Sequence, residues 1–273
     1  MFDTLLNIIR DFLSNMSDAE LYSYVIIISG ALLYLVLERI FPYRKQKLFR
    51  QGFFNDLALY TIAQNYILGI IIFTFIINYI DQTTGLSRLK LFADVPIWIQ
   101  LIFFTITHDI YIYWMHRWQH KNKFLWRIHE AHHSPKDVDW LAGSRSHAFE
   151  ILINQTVEFL PIVLLGSPPE VIAYKGVISA LWGMYIHSNI NVKTGPLQYV
   201  INGPEMHRWH HTTGKGRNRN FATKLAVWDW LFDSAYLPRD LMVDVYGLKT
   251  FFPANYFRQF FFAFRSFKKK VKE

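Results

Sequence analysis

The sequence contains no cysteine. This absence excludes disulfides, thiolate metal sites, iron–sulfur clusters and cysteine nucleophiles, and thiol usage says nothing about the redox compartment. Any metal ion that the chain binds must therefore be held by histidine or carboxylate side chains.

Charged residues are also scarce, at 18% of 273 residues, whereas hydrophobic residues make up 52% and aromatic residues 18%. The 24 Phe, 15 Tyr and 9 Trp exceed what a soluble core of this size needs and indicate an integral membrane protein. The formal net charge of +8 would suit nucleic acid, but the basic residues lie in short loops and at the Lys-rich end rather than on one soluble face. We therefore expect no nucleic-acid partner.

Basic residues are rare at the start, where Arg10 stands alone among the first twenty residues. A signal peptide needs a basic start, so we expect the first apolar segment to be retained. Three apolar segments, 21–37, 57–80 and 96–115, approach the roughly 20 residues needed to cross about 30 Å of hydrocarbon. They predict three membrane spans.

Two further apolar segments, 148–165 and 171–190, are separated by a Gly-Ser-Pro-Pro turn and predict a helical hairpin. Its first helix carries Glu150, Asn154 and Glu158 at a spacing of four residues, which makes a polar stripe that must face protein or water. The hairpin could cross the bilayer or pack at its surface. The predicted fold is all-α, with about four transmembrane elements.

The loop charges predict the orientation in the membrane. Positive residues crowd the first loop, whereas those of the second are offset by acidic ones, so the first loop is expected to be cytoplasmic. Three crossings then place the N-terminus outside and the chain after 116 inside, in agreement with the basic tail 268–272. The positive residues of the first loop are Arg44, Lys45, Lys47 and Arg50.

All eleven histidines fall between residues 108 and 211, and nine of them form four groups. Two groups share the pattern H-x-x-H-H, whose first, fourth and fifth positions lie on one face of a helix, so each group alone could form half of a site. The nine are His116 and His120; His129, His132 and His133; His187; and His207, His210 and His211.

Eight or nine converging imidazoles imply two metal ions, because one ion takes at most about six ligands. Imidazole suits iron, zinc, copper and nickel alike. Iron is favoured because the histidines begin at the end of a predicted span, within reach of lipids, and attack on unactivated C–H bonds requires a redox metal and O₂.

At these residues the chain resembles the fatty acid hydroxylase and sterol desaturase superfamily, whose members carry three histidine boxes. The boxes read His116-Arg-Trp-Gln-His120, His129-Glu-Ala-His-His133 and His207-Arg-Trp-His-His211, and the resemblance covers roughly residues 95 to 240. Their spacing is similar to that of the branch containing alkylglycerol monooxygenase and bacterial members.

The resemblance implies an O₂-dependent lipid hydroxylase or desaturase with two Fe ions, which zinc could replace by misloading. It also implies a membrane lipid substrate and a separate electron donor, such as a cytochrome b5-like protein, a ferredoxin or a reductase. We expect a transmembrane region (1–95), a catalytic domain (96–240) that forms a histidine-rich cytosolic cap, and a basic cytosolic tail (241–273). A bacterial inner membrane is favoured over the endoplasmic reticulum.

Other polar residues could support the ligands. Asp109 lies seven residues before His116, on nearly the same helical face, where it could hold a ligand ring through its second nitrogen. His108 lies about 80° round the helix from His116 and is left out of the ligand set. The remaining candidates are His147, which could instead make a polar contact at a helix start, and Asn189, Asn220 and Asp229.

Two rival functions stay open. A zinc-dependent membrane hydrolase would need a general base such as Glu130 or Glu205, although H-E-x-H-H is not the H-E-x-x-H of zinc peptidases. A metal transporter would place its site near mid-bilayer on broken helices, whereas these boxes lie in polar, Arg-rich sequence.

Overall fold

The computed structural model describes residues 14, 16–238, 241–243 and 245–267. Within these residues the regular secondary structure is helical and contains no β-strand, as predicted. The helix Asn55–Thr84 includes two π-helical stretches, and short 3₁₀ turns occur at Leu86–Leu89, Ala142–Ser144 and Gly195–Tyr199. The helices are α1 (Asp18–Ile40), α2 (Asn55–Thr84), α3 (Ile97–Lys121), α4 (Lys123–His129), α5 (Ala148–Leu164), α6 (Pro169–His187), α7 (Pro204–His210), α8 (Val227–Leu231) and α9 (Tyr256–Phe262).

Helices α1 and α2 are long and apolar enough to cross a membrane. Helix α1 begins with a capping box, in which Ser17 accepts from the Glu20 amide and Glu20 accepts from the Ser17 amide. Helix α2 ends at Gly85, whose φ of 65° is the left-handed conformation that glycine adopts without strain. Large apolar side chains on both helices face outward, as a bilayer favours.

The third predicted span, 96–115, is part of α3, but α3 is not among the helices that pass the same length and hydropathy criteria. The total number of crossings therefore stays a prediction. Helix α3 continues to Lys121, six residues beyond the predicted end of the span, so that His116 and His120 lie on its last turns.

Helices α5 and α6 form the predicted hairpin, with α6 beginning at Pro169, where its fixed φ suits the first turn. Helix α5 packs on α2 and α3 through a core that includes Leu68, Phe104 and Ile162. Helix α6 packs on α1, and a Cβ at Gly30 would clash with the Leu181 side chain.

The described part of the predicted basic tail is packed against the rest of the protein. Helix α9 lies on α2, where Tyr60 donates a hydrogen bond to Gln259. Beyond it, Arg265 pairs with Glu130 in the second histidine box. The basic residues 268–272 and Arg10 lie outside the described residues.

A buried ion network joins the start of α2 to the loop after α4. Asp56 is fully buried and pairs with Arg50 at 2.8 Å and with Arg145 at 2.7 Å. Arg50 also pairs with Asp139 at 2.8 Å. Arg50 is therefore buried and paired within the protein and is not exposed to lipid headgroups. It does not count among the positive loop residues from which the orientation in the membrane was predicted.

Candidate metal centre

The nine histidines singled out in the sequence converge into two neighbouring groups that could each hold a metal ion, and within each group the ligand atoms lie within 4.8 Å of one another. We call them the five-histidine group and the four-histidine group. The first contains His116, His120, His129, His133 and His210, and the second contains His132, His187, His207 and His211.

The expectation that each histidine box forms half of a site is wrong. In each H-x-x-H-H box the first and last histidines share a group, whereas the middle one joins the other group. Positions i and i+4 differ by only about 40° around a helix, but position i+3 lies about 100° from i+4, so its ring points elsewhere. The second box also continues beyond the end of α4, at His129, into a turn.

The outer nitrogens of several rings are held by fixed acceptors. The Nδ1 of His116 lies 2.8 Å from the Phe221 carbonyl, and that of His210 lies 2.8 Å from the Arg219 carbonyl. The Nδ1 of His187 lies 2.7 Å from its own helix, at the Gly183 carbonyl. A carbonyl only accepts, so each Nδ1 carries the proton and each Nε2 is left with a lone pair directed inward.

These inner nitrogens lie close enough to need a cation between them. The Nε2 of His133 lies 3.1 Å from that of His120 and 3.1 Å from that of His210. In the other group the Nε2 of His207 lies 2.9 Å from that of His187 and 3.0 Å from that of His211. Metal–nitrogen bonds of about 2.0–2.1 Å place neighbouring ligands about 3 Å apart, so both groups fit a metal ion.

Burial keeps these rings in the neutral form that metals bind. Desolvation, followed by the neighbouring imidazoles, lowers the pKa of His133, His210 and His211 well below the usual histidine value. They are therefore neutral at pH 7, with lone pairs available. The Nε2 of His116 is buried without a hydrogen-bond partner, which is the state of a ligand atom whose partner is a metal.

Glu150 supports a ligand, and sequence reasoning did not assign it this role. One carboxylate oxygen accepts from the Nδ1 of His129 at 2.8 Å and from Gln119 at 2.9 Å. A carboxylate behind a ligating histidine fixes its tautomer and raises its basicity. The polar stripe of α5 indicates that Glu150 faces protein or water, but the stripe alone does not identify His129 as its partner.

Replacing Glu150 by glutamine is expected to weaken metal binding by the five-histidine group about 10- to 100-fold, because the amide is a poorer acceptor for the His129 N–H. Chelator competition on purified protein measures this affinity. Glu170→Gln on α6 is the matched control, because its side chain, unlike that of Glu150, makes no hydrogen bond to a ligand histidine, so the affinity should be unchanged. Equal affinities of the two variants would contradict the role of Glu150.

The expectation that Asp109 holds a ligand ring is wrong. Its carboxylate accepts from the Lys224 and Leu225 amides, at 2.9 and 2.8 Å, and from the indole of Trp228. Seven residues are two turns of a helix, so Asp109 lies on the same face as His116 but about 10 Å away along the helix axis. It fixes the segment that follows the third box.

His147 and Asn189 also act away from the ligands. His147 caps α5, accepting from the Phe149 amide through Nδ1 and donating to the Phe260 carbonyl through Nε2. This is the polar contact at a helix start that was the alternative for it. Asn189 exchanges hydrogen bonds with the Arg44 backbone and holds the loop after α1.

Asn220 acts on two ligands through its neighbours in the chain. Its φ of 55° lies in the left-handed region, which asparagine tolerates better than most residues. Its side chain bonds to the Met206 and Tyr236 backbones. The carbonyls on either side of it are those that hold His210 and His116. Asp229 supports the same loop by accepting from two amides and Ser234, and burial raises its pKa to about 6.

The two acidic residues considered as hydrolytic bases are engaged elsewhere. Glu130 forms a two-pronged ion pair with Arg265 and is itself buried. Glu205 accepts from the amide and hydroxyl of Thr194. Both carboxylates are thus taken up by partners other than the histidine groups.

Comparison with known proteins identifies the domain that holds this centre. The family model for fatty acid hydroxylase matches residues 101–234, which contain all nine histidines. Residues 101–234 thus carry a fatty acid hydroxylase domain. The resemblance drawn from the histidine boxes is thereby confirmed.

Relatives in this superfamily include lipid-modifying enzymes. The chain is 29% identical to ornithine lipid hydroxylase OlsE of Rhizobium tropici, over 80% of the chain and 68% of that protein. It is 32% identical to alkylglycerol monooxygenase of Homo sapiens, over 51% of the chain and 31% of that enzyme. It is 28% identical to methylsterol monooxygenase 1-3 of Arabidopsis thaliana, over 55% of this chain and 53% of that enzyme.

The chain therefore spans about a third of the length of the human alkylglycerol monooxygenase and about half that of the plant methylsterol monooxygenase. No solved structure matches it significantly.

Within this fatty acid hydroxylase domain a cavity of about 230 Å³ opens beside the two histidine groups. Five ligand histidines line it: His116, His129, His132, His187 and His207. Its walls include the apolar side chains of Ile112, Met115, Ile151 and Ile186. The cavity extends along α3, α5 and α6 away from the metal groups and reaches His108 and Glu158.

Proposed function

We propose that this protein is an O₂-dependent membrane lipid hydroxylase whose two histidine groups hold two iron ions. The observation that carries the proposal is the convergence of nine imidazoles, eight of them buried, into two adjacent groups at the end of an apolar cavity. Iron bound there would supply the redox chemistry with O₂ that an unactivated C–H bond requires.

The protein's own residues bind, orient and exclude water. Carbonyls of the loop at 219–221 and the carboxylate of Glu150 hold His210, His116 and His129 with their lone pairs inward. Apolar walls receive an alkyl chain and keep water from the reacting carbon. The apolar outer faces of α1 and α2 support a membrane location, which a membrane lipid needs in order to reach the cavity.

The relatives named as hydroxylase and monooxygenases favour a polar membrane lipid as substrate and hydroxylation over desaturation. Electrons come from a separate protein, such as a cytochrome b5-like protein, a ferredoxin or a reductase. The proposed topology has the N-terminus outside, the metal centre on the cytosolic side and the protein in a bacterial inner membrane.

Oxygen labelling tests the reaction. Cells that express the wild-type chain under ¹⁸O₂ should accumulate lipids carrying one ¹⁸O atom, detected by mass spectrometry of the lipid extract. His133→Ala, which removes a ligand of the five-histidine group, should lower this labelling at least about 100-fold. His147→Asn, which keeps an acceptor at the start of α5, should label like the wild type.

The labelling pattern also separates the rival reactions. Lipids that lose two hydrogens and gain no ¹⁸O would indicate a desaturase. Label that enters from H₂¹⁸O and persists without O₂ would overturn the oxygenase in favour of the zinc hydrolase. Metal flux into proteoliposomes, lost in His132→Ala, would instead support a transporter.

A further inference from the structure

Polar side chains from three helices also meet at a second height along the cavity, away from the two histidine groups, and we call this the second polar level. On α3, His108 precedes the ligand His116 by eight residues, and on α6, Ser179 precedes the ligand His187 by eight. On α5, which runs the opposite way, Glu158 follows Glu150 by eight residues. Eight residues rise about 12 Å, so three separate helices bring polar side chains to one level about 12 Å from the metal end.

This level contains hydrogen-bonding atoms that no protein group satisfies. Neither ring nitrogen of His108 makes a hydrogen bond, and the carboxylate of Glu158 lies 3.6 Å from its Nδ1. The side chain of His108 is only 7% exposed. On α6, Trp182 lies three residues nearer the metal end than Ser179; its indole nitrogen is buried and also lacks a partner, and the side chains of Trp182 and His108 both line the cavity. Such groups cost free energy unless a ligand binds them.

The charges at this level balance one another. Lys175 pairs with Glu158, and Ser179 bonds to both of them. Lys224 also lines the cavity, and its charge and those of Lys175, Glu158 and Asp109 all lie close enough to act on His108. Two lysines are thus matched by two carboxylates, and the level has no surplus charge for an anionic or cationic group. The unsatisfied donors suit an uncharged oxygen.

We propose that His108 and Trp182 bind an uncharged oxygen of the lipid substrate, as a hydroxyl, ether or carbonyl, about 8–12 Å from the metal end of the cavity. The Trp182 N–H donates to this oxygen, and His108 donates to it or accepts from a hydroxyl. This proposal rests on the proposed function, because it names the substrate class of the same cavity. The spacing of the two levels would then select which carbon lies beside the metals.

Binding of three twelve-carbon compounds tests this assignment without turnover. Radiolabelled dodecanol, dodecane and dodecanoate are equilibrated with the full chain in lipid nanodiscs, without reductant, and binding to empty nanodiscs is subtracted. Dodecanol should bind about tenfold more tightly than dodecane, as one or two hydrogen bonds in a dry site provide. Equal affinities for dodecanol and dodecane, or tighter binding of dodecanoate than of dodecanol, would overturn the proposal.

Variants locate the oxygen. Trp182→Phe keeps the aromatic wall but removes the N–H donor, so it should lose most of the tenfold preference for dodecanol and leave dodecane binding unchanged. Trp98→Phe, at an exposed position on the first turn of α3, is the control and should keep the preference. An equal loss for both compounds in Trp182→Phe would point to packing alone.

The comparison of the three twelve-carbon compounds uses only the wild-type protein, so its result does not depend on whether a variant folds. Because it requires neither O₂ nor reductant, it can succeed when oxygen labelling fails, and it can fail when labelling succeeds.

Discussion

Replacing His132 by alanine is expected to lower the metal content from about two ions per chain to about one. This change removes one of the four ligands of the four-histidine group and leaves three, whereas the five-histidine group keeps all of its members. Two separate ligand sets predict two separately lost ions, since each ion depends on the imidazoles that surround it. Mass spectrometry of detergent-purified protein expressed with added iron measures the content.

His210→Ala acts on the other group, where four of five ligands remain. We expect its ion to be retained more weakly and to be removed by a chelator concentration that leaves the wild type intact. His147→Asn should keep about two ions, because His147 belongs to neither group. Two ions retained in His132→Ala would contradict the division into groups, and no metal in the wild type would make the central inference wrong.

Replacing Asp56 by alanine is expected to destabilise the protein by about 3–5 kcal/mol, the typical cost of leaving a buried charge without its partner. Asp56 is fully buried and pairs with both Arg50 and Arg145, and Arg50 keeps only Asp139 after the change. The loss should lower the apparent melting temperature in detergent by on the order of 10 °C.

The effect should reach the metal centre, because the backbone carbonyl of Arg145 lies 3.3 Å from the Nδ1 of His132. We therefore expect Asp56→Ala to weaken metal retention in the four-histidine group as well as stability. Asp94→Ala, at an exposed position before α3, is the control and should change neither. A melting temperature equal to that of the control would show that the buried network contributes little to stability.

The helices and the ligand histidines could be predicted from the sequence, because their signals lie within single segments of the chain. Apolar segments of about 20 residues, such as 57–80, indicate helices whatever surrounds them. The spacing of four residues that joins His116 to His120 places both rings on one face of α3 without any tertiary contact. Both inferences depend only on the geometry of a single helix.

The supporting residues were harder to predict, because their partners are distant in the chain. Glu150 reaches His129 only because α5 folds back beside the second box. Asp109 has the right spacing from His116 but meets a loop more than a hundred residues further along the chain. Helical spacing reports the face on which a residue lies, but not which element packs there.

The sequence by itself determined the chemistry of the ligands: without cysteine, and with nine clustered histidines, a metal centre in this chain has to use imidazole. Only the tertiary structure decided how those histidines divide into two groups and what lies at the far end of the cavity. The division depends on where α3, α6 and α7 converge. Convergence is set by packing between helices, which no single segment encodes.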